Sequence, residues 1–158
     1  MAINISISKH HVCFPSKILS GQVGRTLNMV LSADTDNGTV VGKGDYVSFD
    51  QYETATAPND FEGTILEQAA DGNWYVEVTK IDPNDPAILI CETEIIAENY
   101  DTRFTDLANF YNKSGKTVRG YVLGITDVYE LSPDAFTGTP QAGKTVTISG
   151  QKHVVDSE

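Results

Sequence analysis

The chain of 158 residues has the length of one ordinary domain, and its 40% hydrophobic and 21% charged residues indicate a globular protein rather than a disordered or fibrous one. Its 11 basic and 22 acidic residues give a net charge of −11, which argues against nucleic acid and anionic membranes as partners, because both attract cations. No apolar stretch approaches the roughly 18 residues of a membrane span and the first residues lack a signal-peptide pattern, so we expect a cytosolic protein.

The first predicted element is a strand near the N-terminus, in which three isoleucines alternate with polar residues. Basic residues and histidines follow it, and no acidic residue precedes Asp34. We predict that residues 1–17 form a strand or arm that binds partner molecules. Its predicted partner-binding residues are Ile3, Ile5, Ile7, Lys9, His10, His11 and Lys17. Two interpretations are open, because such a strand can add to a neighbour's sheet or can begin the domain's own core.

Residues 18–158 are predicted to form a single β-rich domain, with two pseudo-halves that would meet near residues 82–86. Gly and Pro turns separate its short strands, and an Asn37-Gly38 pair marks one tight turn. The predicted strands cover residues 26–31, 39–41, 46–49, 63–68, 73–81, 87–96, 117–125, 127–131 and 145–149. This pattern predicts an all-β fold, either a barrel or a sandwich of short antiparallel strands.

One segment has a helical period. Phe104, Leu107, Ala108 and Tyr111 recur at the spacing of one helix face, which predicts a short α-helix at about residues 102–112. We expect this helix to be structural and to bury its apolar face against the strands.

Residues 138–145 match the phosphate-binding pattern G-x-x-x-x-G-K-[ST]. A phosphate-binding loop requires a helix directly after it, so that helical N–H groups face the phosphates. The residues after Thr145 are instead β-branched and alternate like a strand. We therefore predict a turn that enters a strand, and no nucleotide cofactor.

The chain shows no assembled catalytic or metal-binding pattern. Asp34, Asp36 and Asp45 resemble parts of a calcium loop, but Gly38 stands at the fifth position of that loop rather than the sixth, which favours a solvated hairpin turn. Cys13 and Cys91 form no C-x-x-C motif; we expect reduced thiols, and a disulfide between them stays open. We predict no catalytic residue, no metal, no cofactor and no enzymatic activity.

Several strings along the chain resemble small structural proteins of tailed-bacteriophage heads, namely the decoration, cement or head-fibre-base proteins that bind the outside of the capsid. The strings are residues 36–46 (DNGTVVGKGDY), 61–63 (FEG), 72–78 (GNWYVEV), 110–112 (FYN) and 128–132 (VYELS). The resemblance covers most of residues 25–150. It implies a β-rich, non-enzymatic module on the exterior of the virion, which meets its shell in the host cytoplasm during assembly.

The resemblance also implies the partners, which are the major capsid protein and further copies of this chain. By burying surface between capsid subunits, such a module stabilises the shell. The alternative function is a carbohydrate- or receptor-binding β-module of a fibre or adhesin. Its candidate stacking residues are Trp74, Tyr75, Tyr46 and Tyr52.

Overall fold

A computed structural model describes residues 10–15, 17–18, 26–31, 33–42, 46–48, 51–52, 60–84, 87–92 and 110–157. Within these ranges the chain forms thirteen short strands and one 3-10 helix, Pro133–Ala135. No helix in the described part has the length and apolar character needed to span a membrane.

The strands form three sheets. The first sheet has the order β1 (Cys13–Phe14), β10 (Val128–Leu131), β7 (Trp74–Lys80), β6 (Glu62–Gln68), β12 (Thr145–Ser149), β13 (Lys152–Val155) and β11 (Phe136–Thr137). The second has the order β2 (Thr26–Val30), β9 (Thr117–Val122), β8 (Ile88–Ile90) and β3 (Val40–Val41). The third is the pair β4 (Tyr46–Ser48) and β5 (Gln51–Tyr52).

The all-β prediction is confirmed, and the two larger sheets fit a sandwich-like arrangement. Neighbouring strands are antiparallel, apart from the parallel pair of β11 and β13. The predicted hairpin of β6 and β7 turns at Gly72, whose φ of +94° lies in the left-handed region that glycine adopts without strain. Strands from both sides of residues 82–86 pair with one another in both larger sheets.

Two predicted elements lie largely outside the described residues. These are the strand with Ile3, Ile5 and Ile7, and the helix at residues 102–112, of which only residues 110–112 are described. Asn112 is extended at this point, because its N–H and C=O both bond to Thr35 at 2.8 Å.

The largest apolar cluster joins the two larger sheets. Val40 and Leu89 of the second sheet share it with Val76, Tyr129 and Leu131 of the first. Along β8 the side chains alternate, so Leu89 belongs to this cluster while its neighbours Ile88 and Ile90 belong to a second cluster on the opposite face. The second sheet is therefore apolar on both faces, which explains why β8 is a continuous apolar run rather than an alternating one.

Candidate functional site

The structure describes three of the predicted partner-binding residues: His10, His11 and Lys17. The other four, Ile3, Ile5, Ile7 and Lys9, lie outside the described residues. His10 and His11 both lie next to Asp36, whereas Lys17 contacts the Tyr75 ring.

Residues 10–14 run along the edge of the first sheet, and we call them the N-terminal latch. Val12 N–H donates to Ser132 Oγ, and Ser132 N–H donates to the Val12 carbonyl, both at 2.9 Å. Cys13 and Phe14 then pair with β10 as strand β1. The described part of the predicted arm is therefore a part of the domain's own sheet.

Asp36 binds the first two residues of the latch, His10 and His11. Its Oδ1 lies 2.6 Å from His10 Nδ1, and its Oδ2 accepts the backbone N–H of His11 at 3.2 Å. The His10 ring also stacks on Tyr111, with 5.0 Å between the ring centroids. The positive potential that the sequence places in the N-terminal segment thus has an acidic partner within the same chain.

The turn that contains Asp36 is not the solvated turn that the sequence predicts. Asp34 Oδ1 accepts the N–H of Ser114 at 2.9 Å, and the Gln151 side chain bonds both to the Asp34 carbonyl and to the Asp36 N–H. Protein groups therefore bind both aspartates. Among the described residues, no group of three or more His, Cys, Asp or Glu side chains is arranged to hold a metal ion.

Asn37 is the buried centre of the same turn. Its Nδ2 donates to the Glu92 carbonyl at 3.0 Å, and its Oδ1 accepts both the Glu92 N–H at 3.0 Å and Asn112 Nδ2 at 2.8 Å. The next residue, Gly38, has a φ of +89°, and a Cβ there would lie 2.5 Å from Leu131 Cδ2. The Asn-Gly pair therefore forms the predicted turn, but packs into the interior instead of capping an exposed hairpin.

His153 of β13 is fully buried. Its Nε2 lies 2.7 Å from Tyr129 Oη, and its ring contacts the rings of both Tyr129 and Phe136. Burial lowers the pKa of His153 from 6.5 to about 3, with a smaller contribution from His11. Burial likewise raises the pKa of Tyr129, so both groups are neutral in the folded protein at pH 7.

Lys17 and the candidate stacking residues lie elsewhere. Lys17 Nζ is 4.3 Å from the centroid of the Tyr75 ring, a cation–π contact that occupies one face of the tyrosine. Trp74 is half-buried against the main apolar cluster, as its alternation with Val76 and Val78 predicts. These contacts give both aromatic side chains a structural role. Tyr46 and Tyr52 are paired residues of β4 and β5.

The string that resembles a phosphate-binding loop is a turn that enters β12, as predicted. Gly143 N–H donates to the Ile65 carbonyl at 2.7 Å, and Lys144 N–H donates to the Gln141 carbonyl at 3.2 Å. Two backbone donors that a phosphate would require are therefore already bonded to protein carbonyls.

The turn of residues 124–127 displays an apolar side chain to solvent. Ile125 is 61% exposed, and the only other large hydrophobic residue exposed in the described part of the chain is Leu66 of β6, at 38%. Thr126 has a φ of +80°, although a β-branched residue in this left-handed region is rare and strained. The sequence predicts residue 125 as the end of a strand at 117–125, whereas β9 ends at Val122 and Ile125 lies in the turn that follows, so its exposure was not predicted.

Hydrogen bonds fix this turn from both ends. Asp127 N–H donates to the Gly124 carbonyl at 3.1 Å, and Asp127 Oδ2 accepts the Gly124 N–H at 2.7 Å. Val78 of β7 exchanges two further backbone bonds with residues 126 and 127, each at 2.9 Å. The sheet therefore imposes the strained conformation of Thr126 and fixes the backbone that presents Ile125.

Comparison of the chain with protein-family models, with curated proteins and with solved structures finds no match in any of the three.

Proposed function

We propose that this chain is a non-enzymatic structural protein of a bacteriophage head, which binds the outside of the capsid between subunits and stabilises the shell. The observation that carries the proposal is the rigid turn of residues 124–127. An apolar side chain on a fixed backbone turn loses less entropy on binding than one on a mobile loop, and this preorganisation is typical of interface anchors. Backbone strain of the kind seen at Thr126 also concentrates at functional sites.

The fold and the charge suit this role. A small all-β module whose two larger sheets share one apolar cluster offers a stiff body that can be repeated many times over a shell. Its net charge of −11 keeps copies apart in solution, so that contacts form on the shell rather than between free molecules. Each bound copy adds its binding free energy to the stability of the assembled shell.

Co-sedimentation with shells of the major capsid protein of the same phage tests the proposal. The wild-type chain is expected to sediment with shells and to raise the temperature at which they disassemble. Ile125→Ser is expected to weaken binding by roughly tenfold, the effect of losing one central apolar anchor. The matched control is Leu66→Ser, which removes the other exposed apolar side chain and is expected to bind like wild type.

Removing residues 2–9 tests the four predicted partner-binding residues that lie outside the described part of the chain. This variant keeps every described contact of the latch, and circular dichroism checks that it folds before its binding is measured. Loss of shell binding is expected if this segment contacts the partner. If the wild-type chain does not sediment with shells but binds glycans on an array, this result would contradict the proposal and support the carbohydrate-binding alternative.

A further inference from the structure

Asn37 and Gly38 form the only Asn-Gly pair of the chain, and Asn-Gly is the dipeptide in which asparagine deamidates most readily. In this reaction the nitrogen of the following residue attacks the asparagine side-chain carbon, and glycine hinders the attack least because it has no side chain. A bond forms between Gly38 N and Asn37 Cγ, the bond from Cγ to Nδ2 breaks, and Nδ2 leaves as ammonia with the proton of the Gly38 N–H. Water then opens the resulting succinimide ring to aspartate or isoaspartate.

The fold holds both reacting groups in other interactions. Gly38 N–H, whose nitrogen is the nucleophile, donates to the Ile90 carbonyl at 2.8 Å. The Asn37 side chain, whose Cγ is the electrophile, is fixed by its bonds to the Glu92 backbone and to Asn112 Nδ2. Asn37 is only 1% exposed and Gly38 is also buried, so the pair is shielded from the base that removes the amide proton and from the water that opens the ring.

The packing around this labile pair requires both of its residues. Gly38 cannot carry a side chain, because its φ is +89° and a Cβ would lie 2.5 Å from Leu131 Cδ2 and 3.3 Å from Cys13 Cβ. Asn37 must be both a donor and an acceptor, since its Nδ2 donates to the Glu92 carbonyl while its Oδ1 accepts two N–H groups. A carboxylate in its place would set an oxygen against the Glu92 carbonyl and would bury a negative charge. The contacts that protect the pair therefore do not accept its reaction product.

We propose that Asn37 is a deamidation site that the native fold protects, and that its modification traps any chain that unfolds. The groups around the pair come from β1, β8, β10 and residue 112, which are distant in sequence, so the pair becomes reactive only when the tertiary structure is lost. Aspartate lacks the Nδ2 donor and isoaspartate adds a carbon atom to the backbone, so neither product fits back into the buried turn. Unfolding followed by deamidation is then irreversible.

Mass spectrometry of the proteolytic fragment that contains residue 37 measures the rate of deamidation in mildly alkaline buffer. The reference in each solvent is a synthetic peptide of residues 33–42, which has the same reacting groups and no fold. In guanidinium chloride at a concentration that unfolds the chain, the chain should react as fast as the peptide. In native buffer it should react at least about 100-fold more slowly, because the unfolded fraction of a folded domain is about one in a thousand or less. A smaller difference in native buffer would overturn the protection.

Ile65→Val tests whether the reaction requires unfolding of the whole domain. Ile65 is fully buried in β6, which β7 separates from β10, so the substitution lies away from the Asn37 turn. Loss of one buried methyl group should raise the unfolding equilibrium constant roughly two- to twelvefold, as measured by guanidinium titration of Trp74 fluorescence. The deamidation rate in native buffer should rise by the same factor. An unchanged rate in this destabilised variant would overturn the proposal, since a local opening of the turn would then be sufficient.

Refolding tests the trap. Chains held unfolded in alkaline guanidinium chloride are diluted into native buffer at intervals, and the refolded fraction should fall in step with the fraction modified at residue 37. Chains held unfolded for the same time in mildly acidic buffer are the matched control and should refold, because ring closure requires a deprotonated amide nitrogen. Asn37→Asp should be less stable than wild type, whereas Asn84→Asp, which adds the same charge in an exposed turn, should match it. Modified chains that refold, or Asn37→Asp as stable as wild type, would overturn the trap.

Discussion

Asn37→Ala is expected to destabilise the fold far more than a turn substitution usually does. Among the described residues, the side chain takes part in three hydrogen bonds, two with the backbone of Glu92 and one with Asn112 Nδ2. Each such bond contributes about 1 kcal/mol to stability, and partners left buried without a bond add a desolvation penalty. Asn37 and Asn112 are both buried. The free energy of unfolding should therefore fall by about 3–5 kcal/mol.

Urea unfolding followed by the fluorescence of Trp74, the only tryptophan, measures this change. Asn84→Ala is the matched control, since Asn84 is an exposed asparagine in another turn, and it should stay within about 0.5 kcal/mol of wild type. In a double-mutant cycle, Asn37→Ala and Asn112→Ala should show a coupling energy of about 1–2 kcal/mol. A loss below about 1 kcal/mol in Asn37→Ala, the worth of a single hydrogen bond, would refute the assignment of Asn37 as a buried centre.

Three further outcomes are expected. Gly120→Ala should lower stability by about 1–3 kcal/mol in the same urea assay, because a Cβ at residue 120 would lie 2.7 Å from Ile88 Cγ2 and would also collide with Met29; a neutral result would contradict this close packing. Thr126→Gly should raise stability by about 1 kcal/mol by relieving left-handed strain, and a loss would show that the strain is absent. Titration calorimetry with ATP and magnesium should detect no binding heat for either the wild-type chain or Lys144→Ala. ATP binding by the wild-type chain that is lost in Lys144→Ala would contradict the structural role of that loop.

Much of the fold is local in origin and could be predicted. In β7 the alternation of Trp74, Val76 and Val78 with polar neighbours fixes which face turns inward, because a strand has a side-chain period of two. The Asn37-Gly38 turn and the strand after Thr145 follow in the same way from backbone preferences of individual residues. These features depend on residues that are close in sequence.

The shortest strands could not be predicted, because they depend on residues that are distant in sequence. β1 and β11 have two residues each, too few for any period, and they exist because β10 and β13 present free backbone groups beside them. The exposed turn at Ile125 has the same origin. The strain at Thr126 is imposed by bonds to Val78, a residue almost fifty positions earlier in the chain.

The candidate site shows most clearly which features the sequence determines and which features depend on the tertiary structure. The sequence by itself determined that His10 and His11 lie in a segment without acidic residues, and from this segment we predicted an arm that binds partner molecules. Only the tertiary structure decided that both histidines meet Asp36 of the same chain, and that His153 of β13 is buried and neutral. Desolvation depends on what surrounds a side chain in space, and the groups that bury His153 come from distant strands.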